Sequence, residues 1–251
     1  MKLKVFKSRF LISKKLFKGM NEMRKQILLA AALISPVMLG TGVSAASTTA
    51  DSTPVTANFT VSNIDNNNPN PPAPVDPSNP GTQPNPGNKP LNPTGTFGLA
   101  YIPFQFDFGT TTLTGSSSVH TTAVLPQGKS FNVGVKDTTH TTRGWILTAS
   151  LSGQLTTYGA ELQTSTSVAK VNDGNGQLNA LPSNGMITVP QNVKITSQST
   201  PIMTGNKNHV FSGTYDLNLG DVSLNIPDAS KVQAGNATGT VNWNLAQTPQ
   251  P

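Results

Sequence analysis

Residues 144–155 read Gly-Trp-Ile-Leu-Thr-Ala-Ser-Leu-Ser-Gly-Gln-Leu, and this stretch decides the fold class of the chain. Apolar residues occupy every second position from Trp145 to Leu151, and the positions between them are mainly Thr and Ser after Ile146. A period of two places successive side chains on opposite faces of a strand, whereas a helix needs a period near 3.6. The stretch therefore predicts a β-strand with one face in a core and the other in solvent.

The same alternation recurs from about Phe97 to the end of the chain, and no segment there has a helical apolar stripe. Turn signals separate the runs, and Asp173-Gly174-Asn175-Gly176 predicts a hairpin turn. The pattern predicts an all-β fold, either one antiparallel β-sandwich or a partly closed barrel. The further predicted strand faces are Ile102, Phe104, Phe106 and Phe108; Phe131, Val133 and Val135; Ile187, Val189, Val193 and Ile195; Phe211, Tyr215, Leu217 and Leu219; Val222, Leu224 and Ile226; and Val241, Trp243 and Leu245.

The first segment, residues 1–45, has the composition of a secretory signal peptide with an extended basic n-region. An apolar run at residues 27–39 precedes small residues, which predict cleavage near Ala45 or Ala46 and export of the mature chain. The run is shorter than the roughly 20 residues that a membrane span needs, so no span is expected in the mature chain. Translation from Met1, Met20 or Met23 remains open, because each choice leaves a basic n-region before the apolar run.

The second segment, residues 46–95, is of low complexity and precedes the predicted β domain at 96–251. Its first part is rich in Thr and Ser, and residues 56–61 have weak strand character that can supply a first edge strand. Residues 63–95 are rich in Pro and Asn. Proline has no N–H for a β-ladder, so this part is expected to be an extended or disordered linker, with a polyproline ligand for a partner domain as the alternative.

Charge and cysteine content exclude several classes of function. The formal net charge is +6, but residues 1–45 hold nine Lys or Arg and one acid, which leaves eight basic and ten acidic residues in the remainder. The basic balance therefore belongs to the leader and gives no support for nucleic-acid binding. The chain has no cysteine, which excludes disulfides, thiol catalysis and lipid attachment at a cysteine.

Motifs for catalysis or metal binding are absent from the sequence. His120, His140 and His209 do not have the spacing of a metal-binding pair, no nucleophile-elbow motif occurs, and the acids after residue 45 are scattered singly. We therefore expect no cofactor and no enzymatic activity. A secreted enzyme whose catalytic residues converge from distant positions stays open as an alternative.

Two Trp-x-Leu triplets, Trp145-Ile146-Leu147 and Trp243-Asn244-Leu245, contain the only two tryptophans of the chain. In each triplet the Trp and the Leu are two residues apart and share a strand face. The indoles can be core anchors, or they can form a shared platform that stacks on sugar rings. The two interpretations are compatible if the indoles are half-buried.

The triplets and their flanking residues resemble one family. Residues 144–152 look like the proximal motif of the WxL-domain surface proteins of low-GC Gram-positive bacteria, residues 239–245 resemble the distal motif, and residues 103–109 resemble an early aromatic strand of that family. The resemblance implies a non-covalent cell-wall association domain that recognises peptidoglycan and assembles with companion wall proteins. The binding residues that it implies are Trp145, Ile146, Leu147, Trp243, Asn244 and Leu245, with Arg143 and Asn242 as flanking contacts.

The C-terminal residues show no sorting signal, which favours non-covalent retention at the extracellular wall surface. The first interpretation is a secreted protein that binds peptidoglycan directly. The second is a structural or interaction subunit that a protein partner holds at the wall. Binding to wall sacculi that have been stripped of protein separates the two.

Overall fold

The computed structural model describes residues 53–61, 67–72, 87–115, 117–125 and 128–248. The predicted signal peptide and its cleavage site near Ala45 or Ala46 lie outside these residues. The chain divides into two compact units, Met1–Ala57 and Asn58–Pro251, and every strand of the described residues belongs to the second unit.

Strands dominate the described part of the chain, and all of their pairings are antiparallel. The helical elements there are α1 (Gln154–Thr157) and a 3₁₀ turn at Ala229–Lys231. The predicted all-β antiparallel class is confirmed. The strands are β1 (Asn88–Pro90), β2 (Phe97–Pro103), β3 (Val119–Thr122), β4 (Asn132–Asp137), β5 (Trp145–Gly153), β6 (Glu161–Thr164), β7 (Lys170–Asn172), β8 (Leu178–Ala180), β9 (Ile187–Thr188), β10 (Lys194–Ile195), β11 (Thr200–Gly205), β12 (Gly213–Asn218), β13 (Val222–Ile226) and β14 (Gly239–Gln247).

The strands form three sheets, none of which closes into a barrel within the described residues. The six-stranded sheet has the order β1-β2-β4-β12-β7-β8, and a four-stranded sheet has the order β10-β6-β13-β3. The other four-stranded sheet, β14-β5-β11-β9, holds both tryptophans and is called the tryptophan sheet below. Apolar side chains from all three sheets share one core, in which each large apolar side chain contributes about 1.5–3 kcal/mol by leaving water.

The six-stranded sheet buries a polar network as well as apolar side chains. The Tyr101 hydroxyl donates to Asp216 Oδ2 at 2.9 Å, and Asn132 Nδ2 donates to Asp216 Oδ1 at 2.9 Å. Burial raises the pKa of Asp216 to about 6, although the hydrogen bonds from Tyr101 and Asn132 act in the opposite direction. The Tyr101 ring lies over Gly134, where an added Cβ would come within 2.3 Å of the ring. The Tyr101 ring is therefore packed closely against β4, and its hydroxyl is held beside Asp216.

Two short parts of the Pro/Asn-rich segment contact this sheet. β1 pairs with β2 at one edge of it. At the end of β7, the Asn70 N–H donates to the Gly174 carbonyl at 3.0 Å, and Asn172 Nδ2 donates to the Asn70 carbonyl at 2.8 Å. Pro69 and Pro72 are buried. Residues 67–72 thus contribute to the packing of the domain.

The expected strand face that continued from Ile102 through Phe108 is wrong. β2 ends at Pro103, and Phe104 is 65% exposed. Pro103 has no N–H to donate to a neighbouring strand. The Phe104 N–H still donates to the Gly87 carbonyl at 2.8 Å, and the chain leaves the sheet after this bond. Phe106 instead packs edge-to-face on Phe131 with ring centroids 4.9 Å apart.

Three other local expectations differ from the structure. The run from Ile187 to Ile195 is two separate strands, β9 and β10, because Pro190 interrupts it. Phe211 precedes β12 and is 54% exposed. Residues 56–61 form no strand, and Phe59 is 89% exposed.

The hairpin predicted at Asp173-Gly174-Asn175-Gly176 is confirmed. It joins β7 to β8, and the Asp173 N–H donates to the Gln177 carbonyl at 3.0 Å. Asp173 also accepts from the N–H of Asn175 at 2.8 Å through its side chain, which is the usual role of an Asp at the start of a turn.

Candidate functional site

The two Trp-x-Leu triplets lie on neighbouring strands, since β14 pairs with β5 along its whole length. Leu245 lies directly opposite Leu147, and Trp243 lies opposite Ala149. Trp145 lies at the far end of this pairing, so the two indoles are about 13 Å apart along the sheet at ~3.4 Å per residue. The leucines therefore form the centre of the paired motif, and each tryptophan marks one end of it.

Trp145 is an interior residue with no exposed surface. Its ring covers Gly205 on β11, where an added Cβ would lie 2.3 Å from the indole Cε2. On another side it contacts Tyr215, with ring centroids 5.8 Å apart and planes tilted by 45°. Gly144 is required as well, because a Cβ there would lie 2.6 Å from the Gly205 carbonyl oxygen. The Gly144-Trp145 pair is thus explained by packing.

The Trp145 indole N–H and the Asp137 carboxylate face each other in this interior. Neither Trp145 Nε1 nor Asp137 Oδ2 makes a hydrogen bond within the described residues, and both atoms are buried. Asp137 Oδ1 accepts from the Thr139 hydroxyl at 2.7 Å. Burial raises the pKa of Asp137, while the Thr139 hydrogen bonds and the nearby indole partly counteract this rise. The indole therefore influences the carboxylate, although the pair does not reach hydrogen-bond geometry.

Trp243 has a different environment, because it is half-buried and lines a cleft. This Trp243 cleft has a volume of about 1070 Å³ and lies between β14, the segment 102–111 and the loop before β14. Ligand pockets are usually ~300–1,000 Å³ and mainly apolar, with a few polar groups. The apolar wall includes Leu151, Leu155, Leu162, Leu224, Ile226 and Val241, and polar side chains at the cleft include Gln233, Asn236 and Thr238.

The opposite face of β5 and β14 is polar and uncharged. Asn242 and Asn244 are exposed there, and Asn242 Nδ2 donates to the Ser152 hydroxyl at 2.9 Å. The Thr148 hydroxyl donates to the Asn244 carbonyl at 3.4 Å. We call this surface the polar face; its members are Thr148, Ser150, Ser152, Thr240, Asn242 and Asn244. Ile146 lies on the same side and is half-buried.

Arg143 lies beside the end of β14. Its Nη2 donates to the Thr248 carbonyl at 3.4 Å, and the Thr248 N–H donates to the Gly144 carbonyl at 2.8 Å. The Thr248 hydroxyl donates to the same Gly144 carbonyl at 2.9 Å. Arg143 therefore fastens the C-terminal end of β14 to the start of β5.

The fold and the cleft define a binding module built on two paired tryptophan strands. Residues 47–249 match the family described as WxL domain, surface cell wall-binding. The match covers most of the chain, so the protein belongs to the WxL family of cell wall-binding surface domains, which is a binding family. Searches of curated proteins and of solved structures gave no significant match.

The structure brings the implied binding residues into one paired unit but divides them among three environments. Trp145 and Leu147 lie in the core, Trp243 and Leu245 are half-buried, and Asn244 is exposed with its neighbours on the polar face. The cleft-lining loop was not found from sequence, because its side chains carry no motif.

Within the described ranges, no group of three or more His, Cys, Asp or Glu side chains lies close enough together to hold a metal ion. Across the same ranges, no helix has the length and apolar character of a membrane span.

Proposed function

We propose that this protein is secreted and is retained non-covalently at the cell wall by binding peptidoglycan in the Trp243 cleft. One observation carries the proposal: the direct pairing of β14 with β5 places a half-buried tryptophan in the wall of a large cleft that is lined by both apolar and polar residues. In this proposal the protein acts by binding and catalyses no reaction.

The chemistry of the cleft fits a glycopeptide. The faces of sugar rings carry C–H groups that pack on an indole, and Trp243 leaves part of its ring accessible for this contact. The methyl groups of N-acetyl, lactyl and alanine units suit the apolar wall at Leu151 and Leu155. Gln233 and Asn236 can donate to and accept from the amide groups of such a ligand.

The remaining motif residues have positioning or flanking roles in this proposal. Trp145 and Leu147 fix β5 in the core, and Leu245 aligns β14 on it. Arg143 holds the end of β14 in place. Asn242 belongs to the polar face, which is the alternative contact surface for the wall.

A sedimentation assay with wall sacculi that have been stripped of protein tests the proposal on the mature chain. We expect Trp243→Phe to weaken binding by about 2- to 10-fold, because an aromatic contact is worth ~0.5–1.5 kcal/mol and the phenyl ring keeps only part of it. The control is the double variant Asn242→Ala/Asn244→Ala, which alters the polar face and is expected to bind like the unmodified protein.

Loss of binding in the double variant together with full binding of Trp243→Phe would assign the contact to the polar face and contradict the cleft proposal. Binding only to sacculi that keep their proteins would support retention by a protein partner. N-terminal sequencing of the wall-associated protein tests secretion, with Ala46 or Ser47 expected as the first residue.

A further inference from the structure

The outer edge of β14 is an open pairing surface. β14 is the terminal strand of the tryptophan sheet, and β5 is its sole pairing partner among the described residues. It keeps an unbroken register over nine residues, and none of them is charged or proline. Natural edge strands are usually short, charged, bulged or interrupted by proline, because an open edge recruits other strands. β14 has none of these protections.

The alternation of backbone groups shows which residues of β14 face this open edge. On the β5 side the Thr248 N–H donates to Gly144, and the Thr238 carbonyl accepts from the N–H of Leu155. In an antiparallel pair, every second residue directs its N–H and C=O to the same neighbour. The even-numbered residues of β14 therefore bond to β5. The backbone groups of Val241, Trp243 and Leu245 point to the open edge.

One segment of the same chain has the properties of a missing strand. Residues 55–61, Val-Thr-Ala-Asn-Phe-Thr-Val, alternate apolar and polar side chains without interruption and contain no charge. In the structure this segment forms no strand, and Val55 and Phe59 are 90% and 89% exposed. The family match begins at residue 47 and so includes it. Val55, Phe59 and Val61 are thus exposed apolar side chains on one face of a single short segment, and exposed apolar surface that is contiguous marks an interaction site.

We propose that residues 55–61 of a second copy of this chain add as an antiparallel strand to the open edge of β14. A second copy is the occupant because, among the described residues of one chain, neither the segment nor the outer edge of β14 has a strand partner. The antiparallel orientation is the one that all strand pairs among the described residues have. The register that we propose places Phe59 beside Trp243, so that the two large aromatic side chains meet on one face. Thr60 is then beside Asn242 on the polar face. If two copies each add their strand to the other, they form a closed two-fold dimer. If each copy adds its strand to a further copy, a linear chain of subunits forms.

The absence of cysteine from the natural chain allows a clean cross-linking test. One variant carries Thr60→Cys, the other carries Asn242→Cys, and the two are mixed and oxidised. Even-numbered positions of β14 are non-hydrogen-bonded across the open edge, where paired Cα atoms lie ~4.5 Å apart and suit a disulfide. We expect a disulfide-linked heterodimer. The register control, Thr60→Cys mixed with Ala246→Cys, is displaced by about 13 Å and should not cross-link.

Two further variants tie the cross-link to strand addition. Phe59→Lys should lower its yield by about tenfold or more, because a charge is placed against the apolar face. Asn58→Lys adds the same charge on the other face and should leave the yield unchanged. Phe59 is exposed in the single chain, so its replacement leaves the fold intact.

No heterodimer, equal cross-linking at Ala246→Cys, or a yield that does not respond to Phe59→Lys would each overturn the proposal. The double variant Thr60→Cys/Asn242→Cys then separates the sources of the strand. Dimers on a non-reducing gel support the second copy, and cross-linked monomers alone would assign the strand to the same chain and overturn it.

Discussion

The two Trp-x-Leu triplets have the same local pattern and different environments. Trp145-Ile146-Leu147 lies on β5, between β14 and β11, and its Trp and Leu have no exposed surface. Trp243-Asn244-Leu245 lies on β14, at the edge of the same sheet, and its Trp and Leu are half-buried. The comparison shows that period-two patterning fixes the face of a side chain, whereas the place of the strand in the sheet decides its burial.

This difference assigns separate tasks to the two motifs. The interior triplet stabilises the core, because its indole fills the space over Gly205 and beside Tyr215. The edge triplet presents an indole to a cleft and its backbone to an open edge. A motif that occurs twice in one domain therefore need not have one role, and the predictions below measure how far the two roles differ.

The largest expected difference is in stability after truncation of each indole. Trp145→Ala should lower the free energy of unfolding by about 3–5 kcal/mol, because it removes a fully buried ring and leaves a cavity. Trp243→Ala should lower it by only about 1–2 kcal/mol, because part of its side chain is already exposed to water. Chemical denaturation measures both values. Equal losses would contradict the separation of the two triplets.

The stability of the core around the interior triplet should also depend on pH. Trp145 contacts Tyr215, and the next residue, Asp216, has a pKa of about 6 in the folded chain against an ordinary value of 3.8. As the pH rises from 4, the Asp216 carboxyl therefore loses its proton at a lower pH in the unfolded chain than in the folded chain. The free energy of unfolding should rise as pH falls from about 6 to about 4, by up to roughly 3 kcal/mol from this group at ~1.36 kcal/mol per pKa unit.

Denaturation curves at several pH values check this expectation. Asp216→Asn should flatten the dependence between pH 6 and pH 4, because the titrating group is gone. The control is Asp228→Asn at an exposed site, which should keep most of the slope. A slope that is the same in Asp216→Asn and in the unmodified protein would contradict the assignment.

A smaller effect is expected at the glycine under the interior indole. Gly205→Ala should destabilise the chain by about 1–3 kcal/mol, because the new Cβ would overlap the Trp145 ring and force it to move. Gly213→Ala is the matched control, since a Cβ there meets only contacts of 3.9 Å or more. Thermal or chemical unfolding of the two variants measures the difference. Similar stabilities would mean that the ring is not held tightly over Gly205.

Local sequence pattern was sufficient for the strands that carry both triplets. The alternation in residues 145–151 and 241–245 is unbroken, and no proline or turn residue competes with it. It failed at Phe104, because the proline at position 103 ends the ladder even though the apolar alternation continues. A pattern of side chains thus does not by itself show where a strand ends.

The site itself depends on contacts that local pattern does not contain. Which triplet is interior depends on β11 pairing with β5, and β11 is about fifty residues distant in sequence. The cleft arises where β14, the segment at 102–111 and the loop at 232–238 meet. The contacts of Asn70 with the six-stranded sheet are likewise long-range. Sequence predicted the residues of the motif, and the fold was needed to separate their roles.

The most direct test of the separation uses two single-tryptophan chains and fluorescence quenching by acrylamide. Trp243→Phe reports on Trp145, and Trp145→Phe reports on Trp243. We expect Trp145 to resist the quencher and to ignore added peptidoglycan fragments, because it has no exposed surface. Trp243 should be quenched readily, and the fragments should shield it by covering the cleft. Equal quenching of the two indoles, or shielding of Trp145 alone, would contradict the account.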